Sequence, residues 1–352
     1  MRGAGPSQAA HPTPSGGAAH AASVRAVPIG TLLAVLGVLG FSFKAILIKL
    51  AYLWAPPDPI TLLTLRMLYS APFFMVMAWW SGRAPADAAT AAVPRTGRRA
   101  RAPLTRHDAI MITVLGFIGY YVASWLDFLG LQYVTASLER LVLFLYPTIV
   151  VALSAMFLRQ PITRSAIGAL VLSYAGIALA VWHDIRITGD PGEIVLGTVL
   201  VFASALGYAV YLVGAGGIIA RLGSSRFIAF AMLSSTVFIV LHFLLTRPLS
   251  ALAVPSSVQW LAFAMAVVCT VLPTWMTAES IRLIGASTAS LVGSLGPIFT
   301  IGLGAMMLGE PVNLLQLVGA ALVLGGVMVV SRRPLPRPVP GGARNAGRRD
   351  AV

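Results

Sequence analysis

Ten apolar runs, each long enough to cross a bilayer, constrain this chain more than any other feature of its sequence. They cover about residues 30–53, 59–80, 109–131, 135–158, 163–182, 194–216, 226–246, 257–281, 286–308 and 312–331. A hydrocarbon core about 30 Å thick takes roughly 20 residues of helix at 1.5 Å each. Inside lipid the backbone must bond to itself, so runs of this kind fold as helices. The balance of side chains agrees, since 58% of the 352 residues are hydrophobic and 10% are charged. Soluble domains carry about 25% charged residues to cover their surface. A soluble enzyme is therefore excluded, and the expected fold is all-α and integral to the membrane, with ten transmembrane helices. Residues 1–27 and the basic stretch 332–352 have no apolar periodicity and read as disordered tails. The first apolar run begins too far in, and is too long, for a signal peptide.

A formal net charge of +14 points at first to nucleic acid, but the positions of the charges point elsewhere. With the N-terminus placed in the cytoplasm, 19 of the 25 basic residues fall on the inner side and only Arg186 and Arg247 fall outside. Lys44, Lys49, Arg66 and Arg140 lie within spans. Basic residues concentrate in cytoplasmic loops, so ten spans with both termini cytoplasmic are expected, as in a bacterial inner-membrane protein. Arginines beside a membrane meet anionic lipid headgroups, which explains the basic loop at 95–106 and the C-terminal tail without nucleic acid.

The chain also repeats itself. Residues 136–161 align with 286–311 without a gap and share eleven identities, among them Pro147 with Pro297 and Pro161 with Pro311. Trp125 and Trp275 keep the same offset of 150, and Gly30, Thr31 and Gly40 correspond to Gly197, Thr198 and Gly207. The halves are read as 28–184 and 193–331, each with five spans. Five is odd, so the second half enters the membrane from the opposite side. Inverted repeats of this kind place a substrate site near the midplane between them, opened alternately to each side.

The segments that end the fourth and ninth spans carry a resemblance. They read Tyr146-Pro147 through Arg159-Gln160-Pro161, followed by Ile167-Gly168 and Gly176, and Gly296-Pro297 through Gly309-Glu310-Pro311, followed by Val318-Gly319 and Gly326. In these the chain resembles the drug/metabolite transporter superfamily and, within it, the EamA-like ten-helix exporters, over about residues 28–332. The resemblance implies secondary transport of a small molecule such as an amino acid. Members commonly carry Gly-Glu before the fifth or tenth helix; the second half keeps it, whereas the first has Arg159-Gln160.

Charges at membrane depth are costly and usually face a cavity or a partner. Lys44, Arg66, Asp127, Glu139 and Arg140 all converge on the outer half of the first repeat. They are read as a substrate-lining vestibule with Asp127 and Glu139 as proton acceptors, or as structural pairs such as Arg66–Asp127 or Lys44–Glu139. Glu139 and Arg140 point about 100° apart on a helix, so they do not simply cancel. Lys49 is expected to snorkel to the surface. Glu279, near Arg282 at the inner end of the eighth span, is a third proton-coupling candidate. Tyr120, Tyr121 and Trp125 on the third span, with Trp275 at the matching place on the eighth, are read as aromatic walls for a planar or cationic cargo, or as packing. Tyr211 holds the position in the second repeat that Lys44 holds in the first.

Other chemistry lacks its residues. The five histidines are scattered, the one cysteine (Cys269) sits in an apolar run, and no Gly-Lys-Ser/Thr phosphate loop occurs. No metal site, cofactor or ATP-driven step is expected, and the chain is not read as an enzyme. The rival readings are a membrane-embedded enzyme or flippase acting on lipid-linked substrates. The expected partners are a small-molecule substrate, anionic lipid at the cytoplasmic face and, in a homodimer, a second copy.

Overall fold

The computed structural model describes residues 16–83, 104–158, 163–188 and 190–331. Arg95, Arg98, Arg99 and Arg101, the Arg159-Gln160-Pro161 motif and both ends of the chain (1–15 and 332–352) lie outside the described residues. Among the described residues every regular element is helical, and nine helices are long and apolar enough to cross a membrane. The first seven are Gly16–Trp54, Pro59–Arg83, Arg106–Gly130, Ala136–Phe157, Arg164–Thr188, Pro191–Leu222 and Ser224–Thr246. The eighth and ninth are Ser256–Gly285 and Thr288–Leu308. The tenth, Leu314–Ser331, has 18 residues, about 27 Å at 1.5 Å each, and completes the set. The first helix starts at Gly16, not near Pro28 where the apolar run begins. Its added turns hold Ala18, Ala19, Ala21 and Ala22, and alanine favours helix without needing an apolar partner.

Four interruptions fall in register between the halves. The third span contains a π-helical stretch at Phe117–Val122, and the eighth has one at Val267–Val271, 150 residues on. The fourth span breaks between Leu143 and Tyr146, and the ninth between Gly293 and Gly296. Pro147 and Pro297 each stand just inside the helix that restarts, where a missing N–H costs nothing because it would be unpaired anyway. The ninth span alone adds a π turn at Gly304–Leu308.

Helix packing follows the exchange of one repeat for the other. The first span lies along the eighth, as the sixth lies along the third; the first also meets the ninth, as the sixth meets the fourth. The second pairs with the seventh and the fifth with the tenth. At this last contact the backbones meet at Gly176 and Gly319, where a Cβ on Gly176 would stand 2.5 Å from the Gly319 carbonyl oxygen. Small residues permit such approaches, which give membrane helices their van der Waals attraction. Tryptophans mark the rims: Trp79 and Trp80 at the end of the second span, and Trp54 and Trp260 at the opposite face, are all more than half exposed, as expected where indole sits at headgroup level. Below, the side on which the first span begins is the N-terminal face and the other is the far face.

Candidate functional site

At the seam between the repeats, Lys44 of the first span reaches two carboxylates on two different helices. Its Nζ donates to Asp127 Oδ2 of the third span at 2.6 Å and stands 3.1 Å from Glu139 Oε1 of the fourth. Asp127 is 3% exposed and Glu139 is fully buried. Thr135 explains why Glu139 arrives there. Its hydroxyl accepts the Leu138 N–H and starts the short helix Ala136–Leu143, which puts Glu139 in the first turn.

The cluster is incompletely paired. Oε2 of Glu139, Oδ1 of Asp127 and Nε of Arg140 are buried without a hydrogen-bond partner, and Oε1 of Glu139 has only its ion pair with Lys44. The guanidinium of Arg140, the next residue, lies over Gly296 of the ninth span, where an added Cβ would come within 3.2 Å of Nη2. At Arg140 the second repeat thus meets the site through a backbone surface without a side chain. Arg66 is also buried, but the expected Arg66–Asp127 pair does not form because Asp127 is taken by Lys44. Arg66 Nε instead donates to Thr270 Oγ1 at 3.2 Å, in the π stretch of the eighth span, and its guanidinium stands 5.7 Å from the centre of the Phe128 ring.

The aromatic residues divide between the two sides of the third span. Tyr120 and Asp127, seven residues apart, share one side, and Tyr120 shares a hydrogen bond of 3.1 Å with the Tyr211 hydroxyl. Tyr211 is 3% exposed and stacks on Tyr208, so the site next to the charges ends in a tyrosine wall. Tyr121 and Trp125 turn the other way, onto His242 of the seventh span, through a 3.1 Å hydrogen bond between the Tyr121 hydroxyl and His242 Nδ1 and an edge contact at 5.0 Å from Trp125. Trp125 then lines a separate cleft of about 190 Å³ at the far face, with Asp58, Pro59, Ile60, Leu129, His242, Thr246 and Arg247. An Asp58–Arg247 ion pair joins the two repeats across that cleft.

Two sequence candidates stand apart. Trp275 is 58% exposed, on the outer flank of the eighth span, and lines neither cluster. Its register with Trp125 holds, but the eighth span turns that position outward. Glu279 pairs with Arg282 three residues on, in a partly exposed local ion pair. Lys49 is only partly exposed, with Glu310 and Asp184 as its charged neighbours; it therefore faces carboxylates, where snorkelling was expected. His242, Thr270 and Glu310 were missed as site residues, because each gains its contacts from helices far away in sequence.

Two helical repeats with matching breaks and pairings agree with what the comparisons find. The description "EamA-like transporter family" matches residues 28–182 and again 195–332. A Bacillus subtilis protein named "Uncharacterized transporter YcbK" is 29% identical over 316 residues, 87% of this chain and 93% of that protein. A Streptantibioticus cattleyicolor protein named as a "Probable terminal-alkyne amino-acid exporter" is 29% identical over 255 residues, 71% of this chain and 80% of that one. A solved crystal structure with 19% identity covers 86% of this chain and 98% of its own, at a TM-score of 0.56, and shows the same fold. With both halves matched by one transporter family, this multi-pass membrane chain belongs to the EamA-like transporters.

Proposed function

We propose that this transporter exports a small zwitterionic metabolite, an amino acid or close derivative, across the bacterial inner membrane by alternating access between its repeats. The observation that carries this is Lys44 clasped between Asp127 and Glu139, with the buried Nε of Arg140 beside them lacking an acceptor. A zwitterion exchanges with such a set while every buried charge keeps an opposite partner. Its carboxylate meets Lys44 and Arg140, and its ammonium meets Asp127 and Glu139. That matters because an uncompensated buried charge costs several kcal/mol. The tyrosines Tyr120 and Tyr211 then bound the side chain of the cargo. The relative named as an amino-acid exporter supports the same class of substrate.

Glu139 is the carboxylate that exchanges a coupling proton, since it is fully buried, its Oε2 has no hydrogen-bond partner and its Oε1 meets only the Lys44 ammonium. Orientation follows the arginine count: the 19 basic residues expected on one side keep both termini cytoplasmic, next to anionic lipid. On this orientation the far face is extracytoplasmic, and Trp125, His242 and the Asp58–Arg247 pair lie at the exit. The test compares metabolites in the medium of an overproducing strain and a deletion strain. An amino acid or derivative should accumulate outside the overproducer and be retained by the deletion strain; identical amino-acid profiles would overturn the proposal.

A further inference from the structure

The Gly309-Glu310-Pro311 turn ends the ninth span in an unusual way. Gly309 takes the left-handed conformation at φ +67°, open to glycine at no steric cost. The Glu310 N–H then bonds back to the Gly304 carbonyl at 3.1 Å, a closure of the kind that ends helices at glycine. This turns the Glu310 side chain across the seam onto the other repeat. Its Oε1 accepts the Ala136 N–H at 2.7 Å, and its Oε2 accepts the Ser137 N–H at 3.2 Å and the Ser137 hydroxyl at 2.6 Å. Gly304 leaves room for it, since a Cβ there would stand 2.6 Å from Oε2. Asp184 of the fifth span holds the preceding residue, accepting the Thr135 N–H at 3.0 Å and its hydroxyl at 3.1 Å. One carboxylate from each repeat therefore grips the start of the half-helix Ala136–Leu143, which carries Glu139 and Arg140 and ends at the break before Tyr146.

We infer that Glu310 is a positioning residue of the second repeat that sets the charged half-helix of the first. It satisfies the orphan donors of the first turn and places a negative charge at the positive end of the helix. Through that turn it fixes Glu139 against Lys44 and Arg140 over Gly296. Movement of the second repeat relative to the first then pulls directly on the groups that hold the cargo. The inference rests on the transport function proposed above for this cluster.

The test uses the full chain with Glu310→Ala and Glu310→Gln, read in two arms. Hydrogen exchange by mass spectrometry on the purified protein reports the half-helix itself. In Glu310→Ala, exchange in a peptide spanning 135–143 should speed by about tenfold or more, the scale of a lost charge-assisted bond, with peptides of the second span unchanged. Glu310→Gln keeps the shape and one good acceptor and should fall between. Flux of radiolabelled neutral amino acids in proteoliposomes reports the coupling. Glu310→Ala should raise KM while kcat holds, and the effect should disappear in a Glu139→Gln background. Unchanged exchange at 135–143 overturns the inference. Faster exchange with equal, additive losses of flux in both backgrounds also overturns it, because the cap is then structural only. A wild-type protein that moves no probe refutes the transport proposal alone, and the exchange arm still decides whether Glu310 holds the half-helix.

Discussion

At the register of 150 residues, Asp127, Glu139 and Arg140 of the first repeat align with Thr277, Ala289 and Ser290 of the second. The backbone breaks coincide at the same offset, and so do the π stretches of the third and eighth spans. Tyr211 stands in the second repeat where Lys44 stands in the first. Helix breaks shared by both halves belong to the fold, whereas Lys44, Asp127, Glu139 and Arg140 have no charged counterpart at the matching positions of the second half. The second repeat contributes backbone at Gly296, the hydroxyls of Thr270 and Tyr211, and one carboxylate, Glu310, directed back at the first.

Three matched pairs of substitutions and one single variant break or sharpen that asymmetry, and their expected effects run from large to small. Lys44→Ala leaves two buried carboxylates facing each other and should cost about 3–5 kcal/mol of stability, with transport abolished. Thermal unfolding in detergent reads the first effect and vesicle flux the second. Tyr211→Phe, at the corresponding place, removes one neutral hydrogen bond and should cost only about 0.5–1.5 kcal/mol. Arg140→Ala should weaken a carboxylate-bearing cargo by about 1.5–3 kcal/mol, a rise in KM of roughly 10- to 150-fold, while Ser290→Ala leaves KM in place. Trp125→Ala gives up its ring contact with His242, about 0.5–1.5 kcal/mol, whereas Trp275→Ala should shift the melting temperature hardly at all. Asp58→Asn, which breaks an exposed ion pair between the repeats, should cost no more than about 1 kcal/mol. A larger loss there would make the far-face loops, not the buried cluster, the main tie between the halves.

Much of this was legible in the sequence because membrane burial writes itself as length. The ten runs locate ten helices, and the odd number of spans per repeat gives the inverted arrangement. Convergence of Lys44, Asp127 and Glu139 followed from counting residues along spans of known rise. Partners could not be read so well, because they depend on which way each helix faces. Arg66 was read either as vestibule lining or as a partner of Asp127, but it bonds Thr270, which is presented by a π stretch that hydropathy does not mark. Trp275 was expected beside the cargo from its register, yet the packing of the eighth span turns it outward. Glu310 was visible as a family-like Gly-Glu pair, but its reach across the seam depends on the left-handed Gly309 and the space at Gly304.

The most direct measurement is counterflow of radiolabelled neutral amino acids in proteoliposomes, over a range of pH, for the wild type, Glu139→Gln and Arg140→Ala. The buried cluster as the cargo and proton site requires wild-type flux that changes with pH, a flattened pH profile in Glu139→Gln, and a sharply raised KM in Arg140→Ala. If both variants carry the same cargo at wild-type rates with an unaltered pH profile, Lys44, Asp127, Glu139 and Arg140 are packing elements and the cargo binds elsewhere.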